Sequence, residues 1–397
     1  MLRKKTVPTA LHGVDTLVIL TEYPWGQRDY ERFGVPVFLA NGLSTEVWDL
    51  TSLARSDMAA CPSSLPARRI ASLAELRRAL SSLPAGRVLL LSFIAASVQT
   101  WPILRTLSRT RLPYLVIKSA FMSSIPPQLT NLWRRIVSLR PQPILDHLFS
   151  LFNPRLLGIA PPRFAFVAGG SQARKLAAHY GPDTEILCAH TLDYDIYLQC
   201  RDLPRNGTGS TAVFLDGYLP YHPDCQRLGV APYVTAEQYY PLLNRFFEAL
   251  ERRSGLRVVI AAHPRSHYEE HEECFPGREI VKGRTAELVR DAGLVMLHAS
   301  TAVNFAVLFN KPMLFLTSDA LAPTPWGRYT QSVAAELDQT PLNMDAPLPD
   351  VLPSLDMHAI RPAYARYRDR YVKTKGTADK PSWQFLVDHL RSGGTAP

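Results

Sequence analysis

Three short stretches in the second half of the chain set groups with acid, base or phosphate-binding chemistry just beyond apolar runs. In Ala262-His263-Pro264-Arg265 the preceding run, Leu256 to Ala262, reads as a buried strand. Pro264 lacks an N–H and ends the strand, which leaves His263 at the carboxyl edge of a sheet. An imidazole there can donate to a phosphate or assist its departure, and Arg265 can grip phosphate bidentately. A buried histidine that fastens a loop is the plainer alternative. Asp216-Gly217 follows the run Ala212 to Leu215. A carboxylate in that place can act as general base toward a hydroxyl or as the nucleophile of a double displacement; it can also be an ordinary Asp-Gly turn. Tyr218, Pro220, Tyr221, His222 and Asp224 crowd after it, more aromatic and polar than a simple connection needs.

The third stretch is His298-Ala299-Ser300-Thr301, continuing through Asn304. Here a strand gives way to a helix whose start is rich in hydroxyls, so free amides and the helix dipole predict a phosphate cradle. Ser300 or Thr301 could equally cap the helix. Asn304, one turn on, is placed to reach a ribose or sugar. Gly169-Gly170-Ser171 offers a further anion-binding turn. It is not the GxGxxG of nicotinamide-binding folds, and no GxxxxGK[ST] occurs. Glu22, Asp193 and Asp195 are reserve carboxylates. Asp193-Tyr194-Asp195 has the form of a metal-binding DxD, yet no convincing metal site is expected.

These residues need a scaffold that delivers strand after strand to one edge. Thr16–Leu20, Val35–Leu39, Val88–Ile94 and Tyr114–Ile117 read as strands of a first parallel sheet, with a helix over Ser72–Ser82. Ile125 to Arg163 is rich in proline and reads as a connecting segment. Phe164–Ala168 restarts the rhythm, and Glu185–Ala189 delivers His190, Asp193 and Asp195 into a loop. Then come Ala212–Leu215, a helix from Ala236 to Ser254, Leu256–Ala262, a helix from Thr285 to Ala292, Leu294–Leu297, a helix from Thr301 to Phe309, and Met313–Leu316. That is a doubly wound unit, whose ligands sit beyond the strand carboxyl ends. The expected division is a first Rossmann-like domain over residues 10–160, a second over 161–350, and a tail, 351–397, packing back on the first.

With 397 residues, 46% of them hydrophobic, the chain suits two globular domains. No apolar run is long enough to span a bilayer, and the basic first residues lack the apolar core of a signal peptide, so the cytoplasm is the expected compartment. The five cysteines show no CxxC spacing and predict neither a disulfide framework nor structural zinc. The net charge of +9 attracts phosphate in any carrier. A solvated face accounts for most of the basic residues, a peripheral contact with the inner membrane's cytoplasmic face is the other reading, and they form no recognised nucleic-acid reader.

Taken together, Asp216-Gly217, His263-Pro264 and Ser300-Thr301 resemble the bacterial GT-B transferases that use CMP-activated nonulosonic acids, the sialyltransferases and Kdo transferases of capsule and lipopolysaccharide synthesis. The stretch Lys282 to Pro312 is similar to the donor domain of surface-polysaccharide GT-B enzymes. The resemblance covers about residues 212–318. It implies an α/β fold of two Rossmann-like domains facing across a cleft, and metal-independent sugar transfer from a nucleotide sugar, CMP-Kdo or a relative, to a glycan or lipid-linked oligosaccharide. It implies that Asp216 is the catalytic base, that His263 assists the departing phosphate, and that Ser300 and Thr301 bind it. The sialyltransferase pattern has two acids before glycine, and Leu215 stands at the first. UDP- or GDP-sugar transfer, polyol-phosphate transfer, and a non-catalytic nucleotide-binding scaffold are the alternatives.

Overall fold

A computed structural model of the chain describes residues 13–55, 62–110, 112–118, 154–204, 209–222, 225, 231–349 and 356–392. The chain divides into two compact units, one formed by residues up to 192 together with those from 374 onward, the other mainly by residues 193–373.

The first unit is built on seven strands: β1 (Thr16–Thr21), β2 (Ser44–Asp49), β3 (Arg68–Arg69), β4 (Val88–Ser92), β5 (Tyr114–Lys118), β6 (Phe164–Ala168) and β7 (Glu185–Ala189). They lie in the order β3-β2-β1-β4-β5-β6-β7, every pair parallel. β4 and β6 are buried at every residue, as strands covered on both faces must be. One face carries Trp48, Leu76, Ile103 and Leu107. The other carries Phe38, Phe166, Trp383 and Leu386, so the chain's last helix, Ser382–Ser392, completes this core. Trp383 stacks on Phe166 with ring centroids 5.3 Å apart and donates its indole N–H to the Arg32 carbonyl.

The second unit repeats the plan with β8 (Thr211–Leu215), β9 (Arg257–Ala262), β10 (Glu279–Lys282), β11 (Leu294–Leu297), β12 (Met313–Thr317) and β13 (Leu342–Asn343). Their order is β10-β9-β8-β11-β12-β13, again parallel throughout. The helix Ala236–Ser254 covers one face with Tyr239, Leu243, Phe246, Phe247 and Leu250, a stripe at helical spacing. Burying such side chains contributes about 1.5–3 kcal/mol each. In both sheets the strand order reverses beside the first strand of the unit, at β1/β4 and at β8/β11. That reversal opens the crevice where doubly wound sheets bind ligands.

Four expectations need correction. Val35–Leu39 is helical, within Val35–Ala40: Gly34 enters it at φ 80° and Pro36 occupies the first turn, where its missing N–H costs nothing. The division falls near residue 192 rather than 160, because β6 hydrogen-bonds onto β5 and β7 onto β6, extending the first sheet. Only the part of the tail from 374 joins the first unit; the helix Met357–Tyr367 belongs to the second. Asp193 and Asp195 stand in the first turn of a helix, Leu192–Cys200, rather than in a loop. Most of the proline-rich segment, 119–153, lies outside the described residues. Among the described residues no helix is long and apolar enough to cross a membrane.

Candidate functional site

β9, β8 and β11 are lateral neighbours, and their registers match: Leu215 pairs with Ala261 on one side and with Leu297 on the other. His263, Gly217 and Ala299 therefore leave the sheet in one row, with the outer two about 10 Å apart at the usual strand spacing. All three polar stretches singled out from sequence thus emerge along one edge, on either side of the reversal between β8 and β11.

Past β9, the His263 carbonyl accepts from the Ser266 N–H at 2.9 Å, closing a tight turn that exposes Pro264 and Arg265. The Arg265 N–H donates to His263 Nδ1 at 3.2 Å. A backbone N–H can only donate, so Nδ1 is the acceptor nitrogen and the neutral ring carries its proton on Nε2. His263 is half-buried, and its ring lies 5.5 Å from that of His222, which in turn lies 5.7 Å from Trp326. His222 is 8% exposed, so this aromatic wall backs the histidine turn.

Asp216, expected as a general base, is only 4% exposed. Its Oδ1 accepts from the Tyr218 N–H at 2.9 Å. Its Oδ2 accepts from Tyr268 Oη at 2.8 Å and from the His263 N–H at 3.5 Å. Burial pushes its pKa up to about 6, opposed by those three donors. The carboxylate thus meets protein donors rather than solvent. The left-handed residue of this turn is Tyr218, φ 53°, and not Gly217. Holding a side-chain-bearing residue there costs of order 1 kcal/mol, which the Asp216 hydrogen bond offsets.

Past β11, His298 is a structural group. Its Nδ1 donates to the Leu316 carbonyl at 2.7 Å, which leaves Nε2 to accept from Tyr239 Oη at 2.9 Å. Burial lowers its pKa to about 4, so it is neutral. Ser300 Oγ accepts from the Ala302 N–H, and the N–H groups of Val303, Asn304 and Phe305 bond back to the carbonyls of Ser300, Thr301 and Ala302. The amides of residues 302–305 are therefore taken up in tight turns; the helix itself is short, Val303–Leu308. What remains toward a ligand is the half-buried Ser300 and the exposed Thr301. Asn304, expected to reach a sugar, is buried and donates to Asp193 Oδ2 at 2.7 Å, fastening two helices.

The other expected residues lie elsewhere. Gly169 (φ 76°) and Gly170 open the helix Gly170–Tyr180 after β6 and so belong to the first unit, not to the second sheet; the Ser171 side chain lies outside the described residues, as does Asp224. Glu22, at the end of β1, is 2% exposed and is held by Arg55 at 2.9 Å and the Ala95 N–H at 3.2 Å. Sequence reasoning missed Tyr239, Tyr240, Tyr268 and Thr330. Thr330 is fully buried and accepts from the Ala299 N–H at 3.1 Å, anchoring the β11 turn. The adjacent tyrosines on the buried face of Ala236–Ser254 were the available signal. No group of three metal-ligating side chains occurs among the described residues.

Two successive Rossmann-like units place the chain in the GT-B fold class. Solved structures that it is similar to include three bacterial proteins of differing titles. A variant of the wall teichoic acid polymerase TagF matches at TM-score 0.50 and 10% identity, over 97% of this chain and 91% of that one. MnaA of S. aureus, in a co-structure with UDP, matches at TM-score 0.48 and 12% identity over 95% and 96%. MurG of Acinetobacter baumannii matches at 0.43 and 12% over 95% and 99%. No family model matches the chain. No curated protein matches it either.

Proposed function

We propose that this protein is a glycosyltransferase whose second unit holds a nucleotide-activated sugar. The observation that carries the reading is the row of turns at the ends of β9, β8 and β11, beside the strand reversal, with the half-buried His263 in the first of them. As the sugar leaves, negative charge gathers on the phosphate of the departing nucleotide. His263 Nε2–H donates to it, and Arg265 and the Thr301 and Ser300 hydroxyls add further donors. Such preplaced donors are worth most where water is excluded. The resemblance to nonulosonate transferases makes a CMP-linked donor, CMP-Kdo or a relative, the favoured one, with a surface glycan or lipid-linked oligosaccharide as acceptor. Because the TagF polymerase shares this fold across nearly the whole chain, transfer of a polyol phosphate from a nucleotide carrier is the second reading.

The test is nucleotide release from a panel of CMP-, CDP-, UDP- and GDP-linked donors, with and without glycan acceptor. CMP release from CMP-Kdo supports the first reading; release from a CDP-polyol alone supports the second. Binding without turnover of any donor points to a scaffold instead. His263→Ala should cut release by about 100-fold or more, as loss of a preplaced donor does; full activity in that variant removes the site assignment.

A further inference from the structure

The segment that carries His263 is tied down twice to one carboxylate. Its first residue donates a backbone N–H to Asp216 Oδ2 at 3.5 Å, and its last, Tyr268, donates a phenol to the same oxygen at 2.8 Å. Tyr240 Oη lies 3.3 Å from Tyr268 Oη. A phenol has one proton, and that of Tyr268 is committed to the carboxylate, so Tyr240 must donate to Tyr268. The result is a directed line, Tyr240 to Tyr268 to Asp216, running from the helix Ala236–Ser254 to the turn. Asp216 also donates its own N–H to the Ala261 carbonyl at 3.1 Å, locking the ends of β8 and β9 together.

We propose that Asp216 is a positioning residue that acts on the reaction through His263, held in place by Tyr268 and Tyr240, and not a base that meets the acceptor. This rests on the reading of His263 as the donor-phosphate ligand. A base must meet the acceptor hydroxyl directly, whereas this carboxylate is buried and each of its oxygens already accepts from the protein. A positioning anion needs what Asp216 has: three donors, two of them on the segment it must hold. The titratable groups around it are Tyr218 on its own loop, Tyr239 and Tyr240 on the covering helix, and His263, Tyr268 and Cys274 beyond β9. Every one of the phenols, and the Cys274 thiol, is pushed upward by burial and stays neutral, so ionised Asp216 is the acceptor to which the network is directed.

A double-mutant cycle tests this. Dissociation constants are measured by calorimetry for whichever of CMP, CDP, UDP and GDP binds the wild-type chain most tightly, in Tyr268→Phe, Asp216→Asn, His263→Ala and the two doubles containing His263→Ala. Tyr268→Phe keeps the ring and its packing, so it guards against failure of Asp216→Asn to fold. Tyr268→Phe should weaken binding roughly tenfold, the worth of a hydrogen bond to a charged group. Neither double should bind more weakly than His263→Ala alone. The acid-side loss of binding should move to higher pH in Tyr268→Phe, because the carboxylate loses a donor that favours its anion. Unchanged binding in Tyr268→Phe and Asp216→Asn, or effects that multiply with His263→Ala, overturns the proposal while leaving the donor site standing. Wild-type affinity in His263→Ala, or no binding of any of the four nucleotides, overturns the function itself.

Discussion

Asp216 and His298 sit at the ends of neighbouring strands and respond to acid in opposite senses, which makes Asp216→Asn a sharp test of the electrostatics. Burial lowers His298 from 6.5 to about 4, so between those values the unfolded chain holds a proton that the folded chain refuses. At about 1.4 kcal/mol per pH unit, acidification through that window removes about 3 kcal/mol of stability. Burial raises Asp216 from 3.8 to about 6, so within that window the folded chain holds the extra proton. Acidification there returns about 3 kcal/mol. The two nearly cancel in the wild type between about pH 6 and pH 4. Asp216→Asn removes one side of the balance. The variant should lose about 3 kcal/mol relative to wild type as pH falls from 7 to 4, whatever its absolute stability at pH 7. Urea unfolding at half-unit pH steps, followed by hydrogen exchange in peptides from 236–262, reads the second unit specifically. Parallel stability profiles for the two proteins would refute the reasoning.

Three further outcomes are expected. Gly293→Ala would place a Cβ 2.1 Å from the Gly209 carbonyl oxygen, a backbone atom that cannot swing aside; it should lower stability by about 1–3 kcal/mol or more in a thermal melt. Leu386→Ala, at a fully buried position of the last helix, should cost about 2–5 kcal/mol, seen as faster hydrogen exchange in the first sheet and not in the second. Thr301→Ala should leave stability within about 0.5 kcal/mol, since the residue is exposed, yet weaken nucleotide binding in calorimetry.

Central strands were legible because burial on both faces writes them as apolar runs that stop at a polar residue. Phe164–Ala168 and Leu294–Leu297 have the bounds their composition suggests; so does Glu185–Ala189, an edge strand whose run after Glu185 is still apolar. Two strands at or next to a sheet margin were not legible. β2, STEVWD, and β10, EIVK, are half-exposed and carry charge, so neither presents a continuous apolar signal. Val35–Leu39 failed for a different reason: five apolar residues fit either period, and Gly34 with Pro36 decided for a helix. At the site, strand ends could be read but partners could not. Nothing local to Asp216 tells that Tyr268, 52 residues on, will claim its outer oxygen. Nor does Asn304 foretell Asp193, since both identities suit a ligand as well as they suit each other.

The return of the last segment to the first unit bears on how the protein is made. Thr374 donates to the Ala189 carbonyl at 3.0 Å, Ser382 Oγ to that of His190 at 3.2 Å, and Trp383 closes over Phe38 and Phe166. A ribosome that has released residues 1–192 has produced every strand of the first sheet but not the helix that seals one of its faces. The unit begun first is therefore finished last, and its apolar face waits, uncovered, through the synthesis of the whole second unit.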